Sequence, residues 1–273
     1  MQHQTALKAL LVDRRGRIDP AAHGLPRPTR QGRRAPGLTQ HNVDKLTSRA
    51  PGTYERLESG RWSNPPVDYL RDIARLFALS EQEWVTLCRY TRDEEPPGPL
   101  WDSSGRAVPG AWEDAVHGVL HPAYVTDASW QLLTHNTAFA EMFKDGRPPS
   151  NTMRWMLFDG RDQLTDWERA WAPFVIPQLR IACGRRPGDP ILTQLEQEVR
   201  ADPCARTLYR EGTVADIHPD GDERPIHHAA LGAGWVTMCV AQPLAAPGAR
   251  FMMLIFRPGP RQTGRHRPML QAG

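Results

Sequence analysis

Between Glu94 and Gly110 the chain carries Pro96, Pro97, Pro99 and Pro109 together with Gly98, Gly105 and Gly110, and no hydrophobic period is sustained there. Proline fixes φ and removes a backbone donor, and glycine weakens any regular element, so neither a helix nor a strand runs through such a stretch. One continuous core is thereby excluded. The 273 residues are read as two domains, 1–93 and 112–258, joined by a semi-rigid linker over 94–111 and followed by a basic tail, 259–273, expected to be disordered.

The charge is as uneven as the periodicity. Residues 1–64 hold 12 Lys and Arg against 5 Asp and Glu, a net of +7, and the remainder is −4. Arg257, Arg261, Arg265 and Arg267 have no acid near them, so the middle alone comes to −8. A basic segment attracts polyanions by counterion release whatever their sequence, although a solvated surface has the same composition. No run approaches the roughly 18 apolar residues of a membrane span, and Lys8, Arg14 and Arg15 around Leu10-Leu11-Val12 do not make a signal peptide. A cytoplasmic protein without a membrane partner is expected.

Cys88, Cys183, Cys204 and Cys239 show neither Cys-x-x-Cys nor zinc spacing and are expected as buried small side chains, with no metal and no cofactor. His218 and His227-His228 match no tetrahedral site. Alternation along a strand sends His227 and His228 to opposite faces, one solvated and one buried. No G-x-S-x-G, H-E-x-x-H, P-loop or G-x-G-x-x-G arrangement is present, and no enzyme is expected.

The N-terminal region has helical periodicity and almost no strand pattern. Leu7, Leu10 and Leu11 share one face of a first helix ending near Arg15. After a Pro/Gly/Arg loop from Arg27 to Gly37, Thr39 reads as an N-cap, with Leu38 able to staple against Val43. Pro51 at a first helical position, Tyr54 and Leu57 one turn apart and Gly60 beyond Ser59 predict a helix over Pro51–Ser59. Asn64-Pro65 starts a fourth helix carrying Val67, Leu70, Ile73, Ala74 and Phe77. A Ser80/Glu83 capping box starts a fifth, with Trp84, Leu87 and Cys88 inward.

Two short consecutive helices joined by a turn around Ser48–Ala50 suit a major groove. Leu38-Thr39-Gln40 and Tyr54-Glu55-Arg56-Leu57-Glu58-Ser59-Gly60-Arg61 resemble the Xre-type, lambda-repressor-like helix-turn-helix family. That resemblance implies double-stranded DNA as partner, with base contacts from Gln40, Gly52, Thr53 and Arg56 and phosphate contacts from Arg33, Arg34, Thr39 and Arg61. Arg49-Ala50-Pro51-Gly52 departs from the family's Gly-Val-Ser turn, so the recognition helix lacks a hydroxyl N-cap worth about 1 kcal/mol.

Beyond the linker, Pro122–Val125 and Trp130–Leu133 are β-prone runs joined at Asp127-Ala128-Ser129, and Asn136–Phe143 turns helical. Helices follow at Asn151–Phe158, along Leu164, Trp167, Trp171, Phe174 and Leu179, and behind the caps Asp189 and Asp202. Pro173 and Pro177 are expected to kink or break the long one. Arg224–Ala230, Trp235–Gln242 and Phe251–Arg257 complete the strands, with Gly232-Ala233-Gly234 as a turn. The fold class expected is an all-α helix-turn-helix bundle followed by an α+β, PAS-like domain with an antiparallel sheet.

With Gly24-Leu25-Pro26, the Arg33–Leu38 stretch, Pro122–Asp127, Trp130, Asn136, Asn151-Thr152-Met153-Arg154 and Gly184–Pro190, the chain resembles the MmyB-like transcription regulators of actinobacteria. That resemblance implies a PAS-like domain holding a fatty-acid-like molecule. Trp130, Met153, Arg154, Trp155, Met156, Phe158, Trp235 and Met238 are the expected pocket, although such apolar side chains also serve as plain core. Arg154 among them either meets an internal acid or pairs with a ligand carboxylate. The function expected is sequence-specific DNA binding, as a homodimer on a two-fold site, modulated by the ligand. The alternative keeps the DNA contact and makes the second domain a protein-interaction module with a filled core.

Overall fold

The computed structural model describes residues 2–26, 37–211 and 220–261. The chain divides into two units, Met1–Trp101 and Asp102–Gly273. The first contains α1 (Gln2–Gly16), α2 (Gln40–Leu46), α3 (Thr53–Glu58), α4 (Val67–Leu76) and α5 (Glu81–Arg92). Leu7 and Leu11, one turn apart on α1, join Val43, Tyr54, Leu57, Leu70, Ile73 and Trp84 in its core.

Local capping rules account for two of these starts. The Thr39 hydroxyl accepts from Asn42 N at 2.8 Å. At α5, Ser80 accepts from Glu83 N while Glu83 accepts from Ser80 N, so two otherwise unpaired donors are satisfied reciprocally. The other two starts differ from expectation. Helix α3 begins at Thr53 and not at Pro51, because Gly52 takes a left-handed φ of 85° that ends the preceding turn. No side chain of its own caps it; the buried carboxylate of Asp44 on α2 does, accepting from Gly52 N at 2.8 Å and Tyr54 N at 2.7 Å. Helix α4 begins at Val67 and not at Asn64-Pro65, since the two consecutive prolines hold the residues before them out of the helical region.

Residues 94–111, expected as a linker, are shared between the units. Prolines leave carbonyls with no helical partner, and side chains of the bundle take them up. Trp84 Nε1 donates to Gly98 O at 3.1 Å and Arg71 to Pro99 O at 2.6 Å, and Leu100 is fully buried.

The second unit opens with α6 (Ala111–His117), β1 (Ala123–Thr126), β2 (Leu132–His135) and α7 (Thr137–Ala140), the last capped by Asn136. Next come α8 (Thr152–Arg154), which runs into a π-helical turn over Trp155–Asp159, then α9 (Trp167–Ala170), α10 (Ala172–Arg185), α11 (Pro190–Ala201) and α12 (Pro203–Glu211). Strands β3 (Glu223–His228), β4 (Gly232–Ala241) and β5 (Arg250–Pro258) close it. Among the described residues, five strands form one antiparallel sheet in the order β2-β1-β5-β4-β3, the α+β arrangement expected of this domain. One sheet face carries Tyr124, Ile226, Met238, Met252 and Leu254 against α10, α11 and α12. The other carries Ala123 and Val125 against Val116 of α6.

Four local expectations are corrected. Trp130 takes a left-handed φ of 63°, so β2 starts at Leu132. The β3–β4 turn is Ala229–Leu231, and Gly232 already pairs with His228 in the sheet. The long helix does separate into two pieces, but at Trp171, with Pro173 in the first turn of α10 and Pro177 retained inside it. Of the cysteines, Cys88 is buried and Cys204 exposed. His227 is exposed and His228 buried, as strand alternation requires.

Replacing Asp44 by Ala strands two backbone donors at the head of α3. It is expected to lower the stability of the helical unit by about 1–3 kcal/mol in chemical denaturation, with Asp44→Asn in between because one acceptor survives. An unchanged midpoint for Asp44→Ala would remove the carboxylate from the account of α3.

Candidate functional site

The residues expected at DNA sit on α2, on α3 and just beyond it. Glu58, nearly buried at the end of α3, receives Arg15 from α1 at 2.9 Å and Gln40 Nε2 from α2 at 2.7 Å, tying three helices together. Gln40 is therefore engaged within the bundle, and Thr39 is occupied as the α2 cap. Gly52 and Arg56 are exposed and Thr53 half-buried. The Arg56 guanidinium lies over Trp62 at 5.3 Å, and Arg49, which the sequence reading did not assign to DNA, lies over Tyr69 at 5.2 Å. Arg61 pairs with Glu55 across the exposed surface at 2.5 Å, an interaction that phosphate can compete for because solvent screens it. Arg33 and Arg34 lie outside the described residues. Aromatic faces that hold two cations in place beside a short, carboxylate-capped helix make a surface suited to a polyanion.

The second site lies between the sheet and its helices. Tyr124, Trp130, Phe139, Trp155, Met156 and Trp171 line a mainly apolar cavity with Ile226, Met238, Met252 and Leu254 of the sheet. The gaps between these side chains are narrow: a volume of about 30 Å³ admits the centre of a water molecule, well below that of an open small-molecule site. Room exists for one or two waters, and a larger occupant has to part the walls. Three of those walls are methionines, whose unbranched thioethers shift rotamer more readily than branched side chains.

Of the eight expected pocket residues, Trp130, Trp155, Met156 and Met238 line this cavity. Met153 is buried in the core beside it. Arg154 meets internal acids, Glu198 at 2.5 Å and Asp159 at 3.5 Å. Phe158 is half-buried at the edge of the core, outside the cavity lining, with the guanidinium groups of Arg154 and Arg161 each 5.7 Å from its ring. Trp235 and Met238 are three apart on one strand, so alternation puts them on opposite faces, and Trp235 is covered by Arg261 at 5.3 Å. Trp155 also borders a wider open groove shared with Phe143, Lys144, Arg147 and His227.

Four polar side chains reach the cavity, all missed by the sequence reading: Tyr124, Thr126, Gln178 and Arg250. Gln178 Nε2 donates to Phe174 O at 3.0 Å. Arg250 stacks over Trp130 at 3.9 Å. Burial pulls its guanidinium down to about 10, partly offset by Tyr124, and it stays charged at neutral pH. Burial pushes the Tyr124 phenol well above its usual range, so it is a neutral hydroxyl. Among the described residues no cluster of His, Cys, Asp and Glu is arranged to hold a metal ion, and no helix is long and apolar enough to cross a membrane.

Residues 108–268 match the family described as MmyB-like transcription regulator ligand binding domain, and residues 30–87 match a helix-turn-helix domain family. No curated protein matches the chain.

The wall formed by Trp155 depends on Gly160. A Cβ at Gly160 would stand 2.3 Å from the indole Nε1, while its φ of −103° is one that any residue adopts. Gly160→Ala therefore tests packing alone. It is expected to destabilise the second unit by about 1–3 kcal/mol through overpacking, read as a lower denaturation midpoint; an unaltered midpoint would place the indole elsewhere.

Proposed function

Since the chain belongs to the MmyB-like transcription regulators, a family that joins DNA binding to a ligand-binding domain, we propose that its helix-turn-helix reads preferred duplex sites and that its sheet domain holds a fatty-acid-like small molecule. That it is a DNA-binding transcription regulator rests on the two family matches together. The finer reading places α3 in the major groove, with Arg56, Thr53 and Gly52 toward bases and Arg61, Arg33 and Arg34 toward phosphates. Two copies would occupy a two-fold operator. The observation that carries the DNA half is the arrangement around α3, where Arg56 on the helix, Arg49 before it and Arg61 after it are all exposed and the helix start is fixed by Asp44.

The cavity carries the other half. It is apolar, flexible at its methionines and furnished with few polar groups, the usual composition of a small-molecule site. A ligand regulates only if it binds one arrangement of the protein better than another. A cavity that must open to admit its occupant meets that condition, because the filled and closed arrangements differ in the positions of its walls. The narrowness of the gaps favours a second reading, a filled core that recruits a protein partner. Extraction of the purified full chain followed by mass spectrometry separates the two, with co-purifying lipid supporting the first.

In gel-shift titrations across genomic fragments at moderate salt, Arg56→Ala is expected to erode the preference for the best fragment by about 1–3 kcal/mol, whereas Arg61→Ala weakens specific and random duplex alike. Equal losses on both duplexes for both variants would remove base reading from α3.

A further inference from the structure

The cavity has one polar end, and its chemistry is unbalanced. Thr126 and Arg250 are direct partners in the β1–β5 pairing, and Tyr124 pairs with Met252 two residues along, so all four side chains leave the sheet on the cavity face. Among the described residues the Arg250 guanidinium makes a single hydrogen bond, from Nη1 to Gly248 O at 2.9 Å, and no carboxylate lies within ion-pair distance of it. Asp127, the acid whose charge reaches it, already accepts from Ser129 N at 2.8 Å and Gln131 N at 2.9 Å, and the charges of Arg185 and Arg186 add to the positive potential. The Thr126 hydroxyl is 1 % exposed and, among the described residues, has no hydrogen-bond partner. A half-buried cation with no ion-pair partner and a buried hydroxyl with no hydrogen-bond partner are both costly, and a bound group that satisfied the two together would account for their being side by side.

We propose that Arg250, with Thr126 and Tyr124 beside it, is the anchor for the anionic head group of an amphiphile, a carboxylate, whose apolar body lies against Met156, Met238, Met252 and Leu254. This rests on the small-molecule reading of the cavity and specifies which end of the ligand goes where. The planar guanidinium, its carbon 3.9 Å from the centre of the Trp130 ring, offers a pair of N–H donors that matches two carboxylate oxygens, and the Thr126 and Tyr124 hydroxyls supply further donors to the same head. The paired oxygens would supply an ion-pair partner to Arg250 and a hydrogen-bond partner to Thr126 at once.

The test uses the full chain, delipidated, with dodecanoate, dodecan-1-ol and methyl dodecanoate below their aggregation concentrations, followed by calorimetry. Dodecanoate is expected to bind about tenfold or more tightly than the alcohol or the ester. Arg250→Gln should abolish that preference while leaving the alcohol's affinity near the parent value, and Arg250→Lys should restore part of it. Thr126→Val, which swaps the orphaned hydroxyl for a methyl of like volume, should raise the thermal midpoint of the free protein and weaken dodecanoate severalfold, a pair of opposite effects that a merely structural threonine does not give. Equal binding of acid, alcohol and ester overturns the anchor and leaves the small-molecule reading standing. Failure of all three to bind overturns both, and dodecyl phosphate bound in preference to dodecanoate overturns the assignment of a carboxylate.

Discussion

The second unit depends on the pairing of β1 with β5, strands that come from opposite ends of its sequence. The register Ala123↔Met253, Tyr124↔Met252, Val125↔Phe251 and Thr126↔Arg250 decides which side chains face the helices and which face α6. A slip of one residue would exchange the two sets. Ala123 and Val125 would lose their cover, and Thr126 and Arg250 would leave the cavity. Because β1 is buried along its whole length on both faces, each register error costs apolar burial on one side and exposes polar groups on the other, and the alignment is correspondingly well determined.

The same contrast between near and distant partners separates what the sequence disclosed from what it did not. Thr39, Ser80 and Asp189 were legible as caps because each bonds a donor two or three residues ahead, and the rule needs no tertiary knowledge. Asp44 caps α3 from another helix, eight and ten residues away from the donors it satisfies, so the turn around Pro51 looked uncapped when it was not. The sheet and its helical cover followed from strand and helix periods. The cavity did not, since lining it requires knowing which strands are neighbours. Met238 was found and Trp235 misplaced for one reason: composition recognises a large apolar residue and says nothing of the face it takes. Arg250 carried no signal at all, being one arginine near the start of a strand, and its significance comes only from the carboxylate that is absent beside it.

Opposite treatment of two arginines makes the point about function. Arg154, the one that stood out among apolar neighbours in the sequence, is matched by Glu198 and Asp159 and remains about two-fifths exposed. Its charge is accounted for without a ligand. Arg250 is less exposed and, among the described residues, has no carboxylate paired with it, so the electrostatic reason to bind an anion is stronger there.

A narrow cavity also constrains how a ligand could act. An occupant that fitted existing space would stabilise the protein without changing it, whereas one that has to displace Met156, Met238 or Trp171 must select an arrangement in which these have moved. Trp171 is both a wall of the cavity and the residue at which the helix breaks between α9 and α10, with Nε1 donating to Pro225 O on β3 at 2.9 Å. A ligand that displaced its ring would therefore strain a helix joint on one side and an edge strand on the other. Since a ligand shifts an equilibrium only by its difference in affinity for the two arrangements, the work of parting these walls sets both the cost of binding and the size of the response that binding can produce.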